Sequence, residues 1–111
     1  MEKKYEQLLL VIGTGERKAI HLKELGKILN VSERTTKNLI QKARENGLFI
    51  LSSGKGYYFP SCVGEATSFV QYEKSRRKAN RKQCHPLEAY LKKELKGADA
   101  DAIFPVKFTE I

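Results

Sequence analysis

Two amphipathic helical patterns lie next to each other in residues 22–46, separated by only three residues. In both segments apolar or small side chains recur at the three- and four-residue spacing of one helical face. The first set is Leu22, Leu25, Ile28 and Leu29, and the second is Thr36, Ile40 and Ala43. Ser32 supplies an N-cap hydroxyl to the second segment, and Gly47 is a natural residue at which to end it. Helices joined by so short a turn must cross and share one core, which restricts the fold more than any other feature does.

A further helix is predicted before this pair and a β-hairpin after it. Residues 5–12 place Tyr, Leu, Leu and Ile at i, i+3, i+4 and i+7, and Gly13 then ends the helix. The β-prone runs 48–52 and 57–60 flank the glycine-containing turn 53–56. A helix-turn-helix followed at once by a hairpin is the layout of a winged helix, in which the hairpin forms the wing. The expected fold is therefore mainly α with a small β-hairpin.

The chain is predicted to have three parts. Residues 1–60 form the winged helix-turn-helix, 61–97 a basic helical extension, and 98–111 a tail that is first acidic, with Asp99 and Asp101, and then apolar. Within the extension we expect a helix from Ser61 to about Gln83 and an interruption at His85-Pro86. Pro86 then starts a last helix, since proline suits the first helical position.

Composition favours a polyanionic partner. The 111 residues carry a formal net charge of +8, with a sequence pI near 9.6, and both halves of the chain are basic. No apolar run is long enough to cross a membrane, so we expect a cytoplasmic protein. The two cysteines and two histidines show no close ligand pair, which argues against zinc. No metal, no cofactor and no catalytic constellation is predicted, and an enzyme is therefore not expected.

The segment LGKILNVSERTTKNLIQKARENGLFILSSGKGYYFP resembles a known class of DNA-binding domain. It is similar to the N-terminal domain of the bacterial biotin-operon repressor and to DeoR-type regulators, over about residues 5–60. The resemblance rests on the Leu-Gly pair of the second helix, the Val-Ser opening of the third, and Gly54-Lys55-Gly56-Tyr57 in the wing. It implies a winged helix that binds DNA. The 51 residues after Pro60 are too few for the ligase domain of the biotin repressor.

The recognition helix is predicted to be residues 32–46, with its N-terminal part in the major groove. Arg34 can donate two hydrogen bonds to guanine, while Asn38 and Gln41 can pair with adenine. Thr35 can reach a phosphate or a thymine methyl group. The residues of this helix predicted to contact DNA are Ser32, Arg34, Thr35, Lys37, Asn38, Gln41 and Lys42. An ordinary polar helix face is the alternative interpretation.

Two further groups of cations are predicted to contact the DNA backbone. Lys55 stands between two glycines at the tip of the wing, where it suits a phosphate or the minor groove. In the stretch KSRRKANRK, five cations fall within an arc of about 140° on a continuous helix, with no acid among them to pair with. These five are Lys74, Arg77, Lys78, Arg81 and Lys82. A solvated face and a contact with an acidic protein are the alternatives for this stretch.

The sequence thus predicts a sequence-specific double-stranded DNA-binding protein, most simply a transcriptional regulator. One alternative is a DNA-replication or recombination accessory protein of a phage or mobile element. The other is a winged helix that binds proteins instead of DNA. Two protein contacts are also considered: a homodimer through the C-terminal helices, and a protein partner at the apolar tail. The residues suggested for the dimer are Leu87, Tyr90, Leu91 and Leu95.

Overall fold

A computed structural model describes residues 3–76 and 81–109 of the chain. This part is mainly helical with one two-stranded antiparallel hairpin, which confirms the predicted fold class. A short 3-10 turn, Glu16–Lys18, precedes α2. The helices are α1 Lys3–Val11, α2 Leu22–Leu29, α3 Glu33–Glu45, α4 Val63–Arg76 and α5 Arg81–Glu94, and the strands are β1 Leu51–Ser53 and β2 Gly56–Tyr58.

The turn between α2 and α3 is three residues long, as the sequence predicts. Asn30 leaves α2 in the left-handed conformation, and Ser32 caps α3 by accepting a hydrogen bond from the Thr35 amide at 3.1 Å. Thr36 is fully buried, and its hydroxyl donates to the Ser32 carbonyl at 2.8 Å, so no polar group is left unpaired there. A Cβ on Gly26 would lie 3.1 Å from Thr36 Oγ1, and glycine therefore allows the two helices to approach closely.

The hairpin is fixed against the segment that precedes α2. Leu51 pairs with Tyr58 and Ser53 with Gly56, which leaves two residues in the loop. The backbone of Ile20 forms an antiparallel bridge with Tyr57 through hydrogen bonds of 3.0 and 2.9 Å. Gly56 has φ +120°, and a Cβ there would meet the Ile20 carbonyl oxygen at 2.3 Å. Glycine is required at this position both by the backbone angle and by the close strand.

The prediction of a single helix from Ser61 to Gln83 is wrong. α4 ends at Arg76, and Lys74 Nζ lies 2.5 Å from Glu88 Oε2 on α5. Fourteen residues of one helix would separate these side chains by roughly 21 Å, so the chain reverses and α5 packs back along α4. Residues 77–80, which link the two helices, lie outside the described residues.

The predicted helix start at Pro86 is also wrong. Pro86 lies inside α5, in its second turn, and is buried. Proline there removes one backbone hydrogen bond near the helix start, which costs less than it would in the middle of the helix. Its ring is instead packed in the interior. After α5, Gly97 adopts a positive φ of 80°, in line with the predicted end near this residue.

One of the two hydrophobic clusters spans the boundary predicted near residue 60. It joins Phe49, Leu51 and Tyr58 of the hairpin region to Val70 of α4 and Leu87 of α5. The other cluster lies beneath α1, α2 and α3, with Leu8, Leu25 and Ile40 among its members. The extension therefore buries apolar side chains of the hairpin region and does not stand apart from it.

The tail folds back along the hairpin region. The Phe49 amide donates to the Lys107 carbonyl at 2.9 Å, and the Thr109 amide donates to the Gly47 carbonyl at the same distance. Phe104 is buried and meets the Phe49 ring edge-on at 5.7 Å. The apolar tail considered as a partner site thus contributes one of its aromatic residues to the core of its own chain, while Ile103 stays 83% exposed.

Candidate nucleic-acid interface

One face of α3 is buried and the other presents polar side chains to solvent. The buried residues are Thr36, Ile40 and Ala43, the three that the sequence assigns to the core. Leu39 is partly buried and packs in the cluster beneath α1, α2 and α3. Each residue of this helix predicted to contact DNA is exposed, namely Ser32, Arg34, Thr35, Lys37, Asn38, Gln41 and Lys42. The predicted division of the helix into two faces is confirmed.

The start of α3 is held by its own side chains. Besides capping the Thr35 amide, the Ser32 hydroxyl donates to Thr35 Oγ1 at 2.9 Å. The first amides of the helix point outward beside these hydroxyls and carry the positive end of the helix dipole. This end of α3 suits an anion such as a phosphate. The Thr35 hydroxyl can still donate a hydrogen bond to a phosphate, and its position is set by Ser32.

Arg44 holds the last turn of α3 against the wing, and the sequence reasoning missed it. Its Nε donates to the Ile50 carbonyl at 2.7 Å and its Nη2 to Ser52 Oγ at 3.1 Å. The guanidinium also lies over the rings of Tyr57 and Phe69, at 5.9 and 5.2 Å from their centroids. Burial lowers the pKa of Arg44 from its ordinary value, and these contacts keep the guanidinium in place. A basic residue just off the predicted core face was the only sequence signal.

The tip of the wing is exposed and the strands behind it are packed. Lys55 has 69% of its side chain exposed, and its Nζ lies 3.9 Å from Glu16 Oε1. An ion pair this open is weak and leaves the lysine able to reach a phosphate. Tyr58 and Phe59 are buried, so these two aromatic rings pack in the core and are not free for base stacking.

The basic stretch is divided between two surfaces. Lys74 pairs with Glu88 on α5, whereas Lys82 Nζ lies 3.2 Å from Glu45 Oε1 on α3. The stretch itself contains no acid, and the partners of these two lysines come from distant parts of the chain. Arg81 is exposed, while Arg77 and Lys78 lie outside the described residues. Lys74 and Lys82 therefore do not belong to the single helical stripe expected on a continuous helix.

The fold brings Lys82 to α3, and Arg81 lines the same opening beside Glu45. At 100° per residue, Glu45 falls on the same helical face as Arg34, Asn38 and Gln41. Its partner Lys82 therefore lies beside the exposed polar face, at the C-terminal end of α3, and is 80% exposed in its side chain. Lys74 and its partner Glu88 instead line an opening between α4 and α5.

One of the four residues suggested for a dimer interface is buried inside the chain, namely Leu87. Tyr90, Leu91 and Leu95 are partly buried against the same cluster, and the Tyr90 ring lies 5.2 Å from that of Phe49. A dimer built on the apolar side chains suggested on α5 would use these last three.

Both cysteines of the chain lie within the described residues. Cys62 and Cys84 are both free thiols, and burial raises the pKa of Cys84 to about 11, so its thiolate is disfavoured. Within residues 3–76 and 81–109, no cluster of three or more His, Cys, Asp or Glu side chains could hold a metal ion. None of the helices described there is long and apolar enough to cross a membrane. No protein-family model, curated protein or solved structure matches this chain.

Proposed function

We propose that this protein is a sequence-specific double-stranded DNA-binding protein that regulates transcription in the cytoplasm. In this proposal residues 1–60 act as a winged helix-turn-helix. The observation that carries it is the exposed face of α3, on which Arg34, Asn38 and Gln41 stand together while Thr36 and Ile40 are buried on the opposite side. A helix anchored in this way can enter the major groove without disturbing the core.

The side chains of this face suit direct readout of base edges. Arginine donates two hydrogen bonds to guanine, and asparagine or glutamine pairs with adenine through both its amide groups. Lys37 and Lys42 flank this set and suit the phosphates on either side of the groove. A plain solvated face would not need amides and a guanidinium grouped in this way.

Backbone contacts are proposed at two points around α3. Lys55 at the wing tip is mostly exposed, and Lys82 stands at the C-terminal end of the helix. Together with a formal net charge of +8, these cations favour a polyanion. They add affinity and salt dependence but no sequence information.

Selection of bound duplexes from a random library tests the proposal. The full chain should recover a short motif, and a duplex carrying it should bind at least about a thousandfold more tightly than unrelated DNA. Chromatin immunoprecipitation in the source cells should then show the protein bound at promoters that contain the motif. A pool without a motif would overturn sequence-specific binding, and a motif found only at replication origins or attachment sites would overturn the regulatory role.

A further inference from the structure

An apolar groove runs between α4 and α5, and no residue of α3 lines it. Its volume is about 460 Å³, and its floor is formed by Val63, Val70, Leu91 and Leu95. These residues come from the facing stripes of two antiparallel helices. Such a groove is the place where a third helix completes a small bundle.

The edges of the groove are basic. Lys74, Lys92 and Lys96 line it together with a single glutamate, Glu88, which leaves two net positive charges. Glu88 is shared by two of these lysines, at 2.5 Å from Lys74 and 4.0 Å from Lys92. Lys74 Nζ, which donates the hydrogen bond, lowers the pKa of Glu88, so this carboxylate stays charged and holds both lysines near the groove.

We propose that this groove binds an acidic amphipathic helix of a partner protein. The apolar floor suits leucine-like side chains at helical spacing, and the lysines on its edges suit carboxylates on either side of that stripe. A second copy of this chain fits less well, because its own α4–α5 face would bring the same lysines opposite these. The groove residues Val63 to Lys74 span about 16 Å of α4, equal to roughly three helical turns.

The groove shares no residue with the exposed face of α3. It is lined by residues of α4 and α5 and of the segment that follows α5, whereas the opening beside Glu45 of α3 is lined by Arg81, Lys82, His85 and Pro86 near the start of α5. A partner helix in the groove would therefore leave the polar side chains of α3 uncovered. The proposal does not depend on what α3 binds.

Two synthetic peptides of about 18 residues test it, both with leucines at i, i+3, i+4 and i+7. One carries glutamate at the remaining surface positions and the other carries lysine. We expect fluorescence anisotropy to show salt-sensitive binding of the glutamate peptide alone. The backbone amide shifts it causes should map to α4 and to residues 88–98. Equal binding of both peptides, binding of neither, or shifts on α3 would overturn the proposal.

Charge reversal gives the matched comparison. The double variant Lys92→Glu and Lys96→Glu should weaken the glutamate peptide at least about tenfold. The double variant Lys23→Glu and Lys93→Glu changes the net charge equally at two exposed positions that do not line the groove, and it should stay within about twofold of the parent. Equal losses in both variants would indicate attraction to overall charge and would sink the idea. Two other results would also overturn the proposal. One is that laurate, a fatty acid, shifts the groove amides and the glutamate peptide does not. The other is that the chain forms a dimer through Leu91 and Leu95.

Discussion

Arg44 Nη1, on the last turn of α3, donates a hydrogen bond to Gln83 Oε1 on α5 at 3.1 Å. The two residues are 39 positions apart, and the bond joins the candidate recognition helix to the extension. Since the same guanidinium also holds Ile50 and Ser52, one side chain sets the relative positions of α3, the wing and α5. The extension therefore has a structural link to the surface proposed to read DNA.

Arg44→Lys should lower the free energy of unfolding by about 2–4 kcal/mol. Lysine keeps the charge but loses the planar guanidinium, which donates to two acceptors in the hairpin region and one on α5. Urea unfolding followed by circular dichroism measures the change. Arg34→Lys, on the exposed face of the same helix, is the control and should stay within about 0.5 kcal/mol of the parent. An Arg44→Lys variant as stable as the parent would show that the hydrogen bonds of the guanidinium contribute little to the free energy of unfolding.

Gly56→Ala should destabilise the hairpin, whereas Gly54→Ala should not. A methyl group at 56 would meet the Ile20 carbonyl at 2.3 Å on a backbone with φ +120°, while nothing lies within 4 Å of one at 54. We expect a loss of about 1–3 kcal/mol for Gly56→Ala and a change within about 0.5 kcal/mol for Gly54→Ala. Thermal unfolding of both variants checks this. Equal melting temperatures would contradict the close approach of Ile20.

Arg34→Ala and Asn38→Ala should each cost about 1–3 kcal/mol on the selected duplex and relax the preference for one base pair. The reason is the loss of paired hydrogen bonds to a base edge. Binding to single-base variants of the duplex, measured by anisotropy, locates the affected position. Lys93→Ala serves as the control for lost charge. If the two variants weaken all sequences alike, these side chains do not read bases.

Glu45→Gln should strengthen DNA binding. The change removes a negative charge from the exposed face of α3 and releases Lys82 from its 3.2 Å ion pair. One added phosphate contact would steepen the slope of log K against log salt by about 0.9. Glu94→Gln, an exposed change of equal charge at the far end of α5, should leave that slope unchanged. A slope unaltered in Glu45→Gln would place Lys82 away from the phosphates.

Glu65→Gln should make stability less sensitive to acid. Burial tends to raise the pKa of Glu65, but hydrogen bonds from the Ser61 hydroxyl and from the amides of Ser61, Glu16 and Cys62 lower it overall. The carboxylate therefore contributes stability above its ordinary pKa of 4.5, and that contribution is lost as the pH falls through the lower folded value. Glu65 lies in the first turn of α4 and caps the start of that helix by accepting these hydrogen bonds. Such a cap stabilises a folded protein by about 0.5–2 kcal/mol.

Urea unfolding from pH 7 to pH 2 measures this effect. The parent should lose stability below about pH 4.5, and the Glu65→Gln chain should lose less over the same range. Glu24→Gln, at an exposed position on α2, is the comparison and should follow the parent. Identical pH profiles for Glu65→Gln and the parent would show that the cap does not depend on charge.

Much of residues 1–60 follows from local pattern. The spacing of Leu8 and Ile12, the cap at Ser32 and the glycine-bounded turn around Lys55 each act over a few residues, and all three are found as predicted. The division of α3 into a buried and an exposed face follows in the same way, because 3.6-residue periodicity is a property of one segment.

The extension required the tertiary structure. Nothing local shows that Lys74 would meet Glu88, or that Lys82 would meet Glu45. The sequence determined which residues are basic and which helix presents a polar face. Only the tertiary structure decided that Arg44 joins that helix to the wing and to α5. Contacts between residues far apart in the chain depend on how elements pack, and helical periodicity shows which face of a helix is buried but not which element covers it.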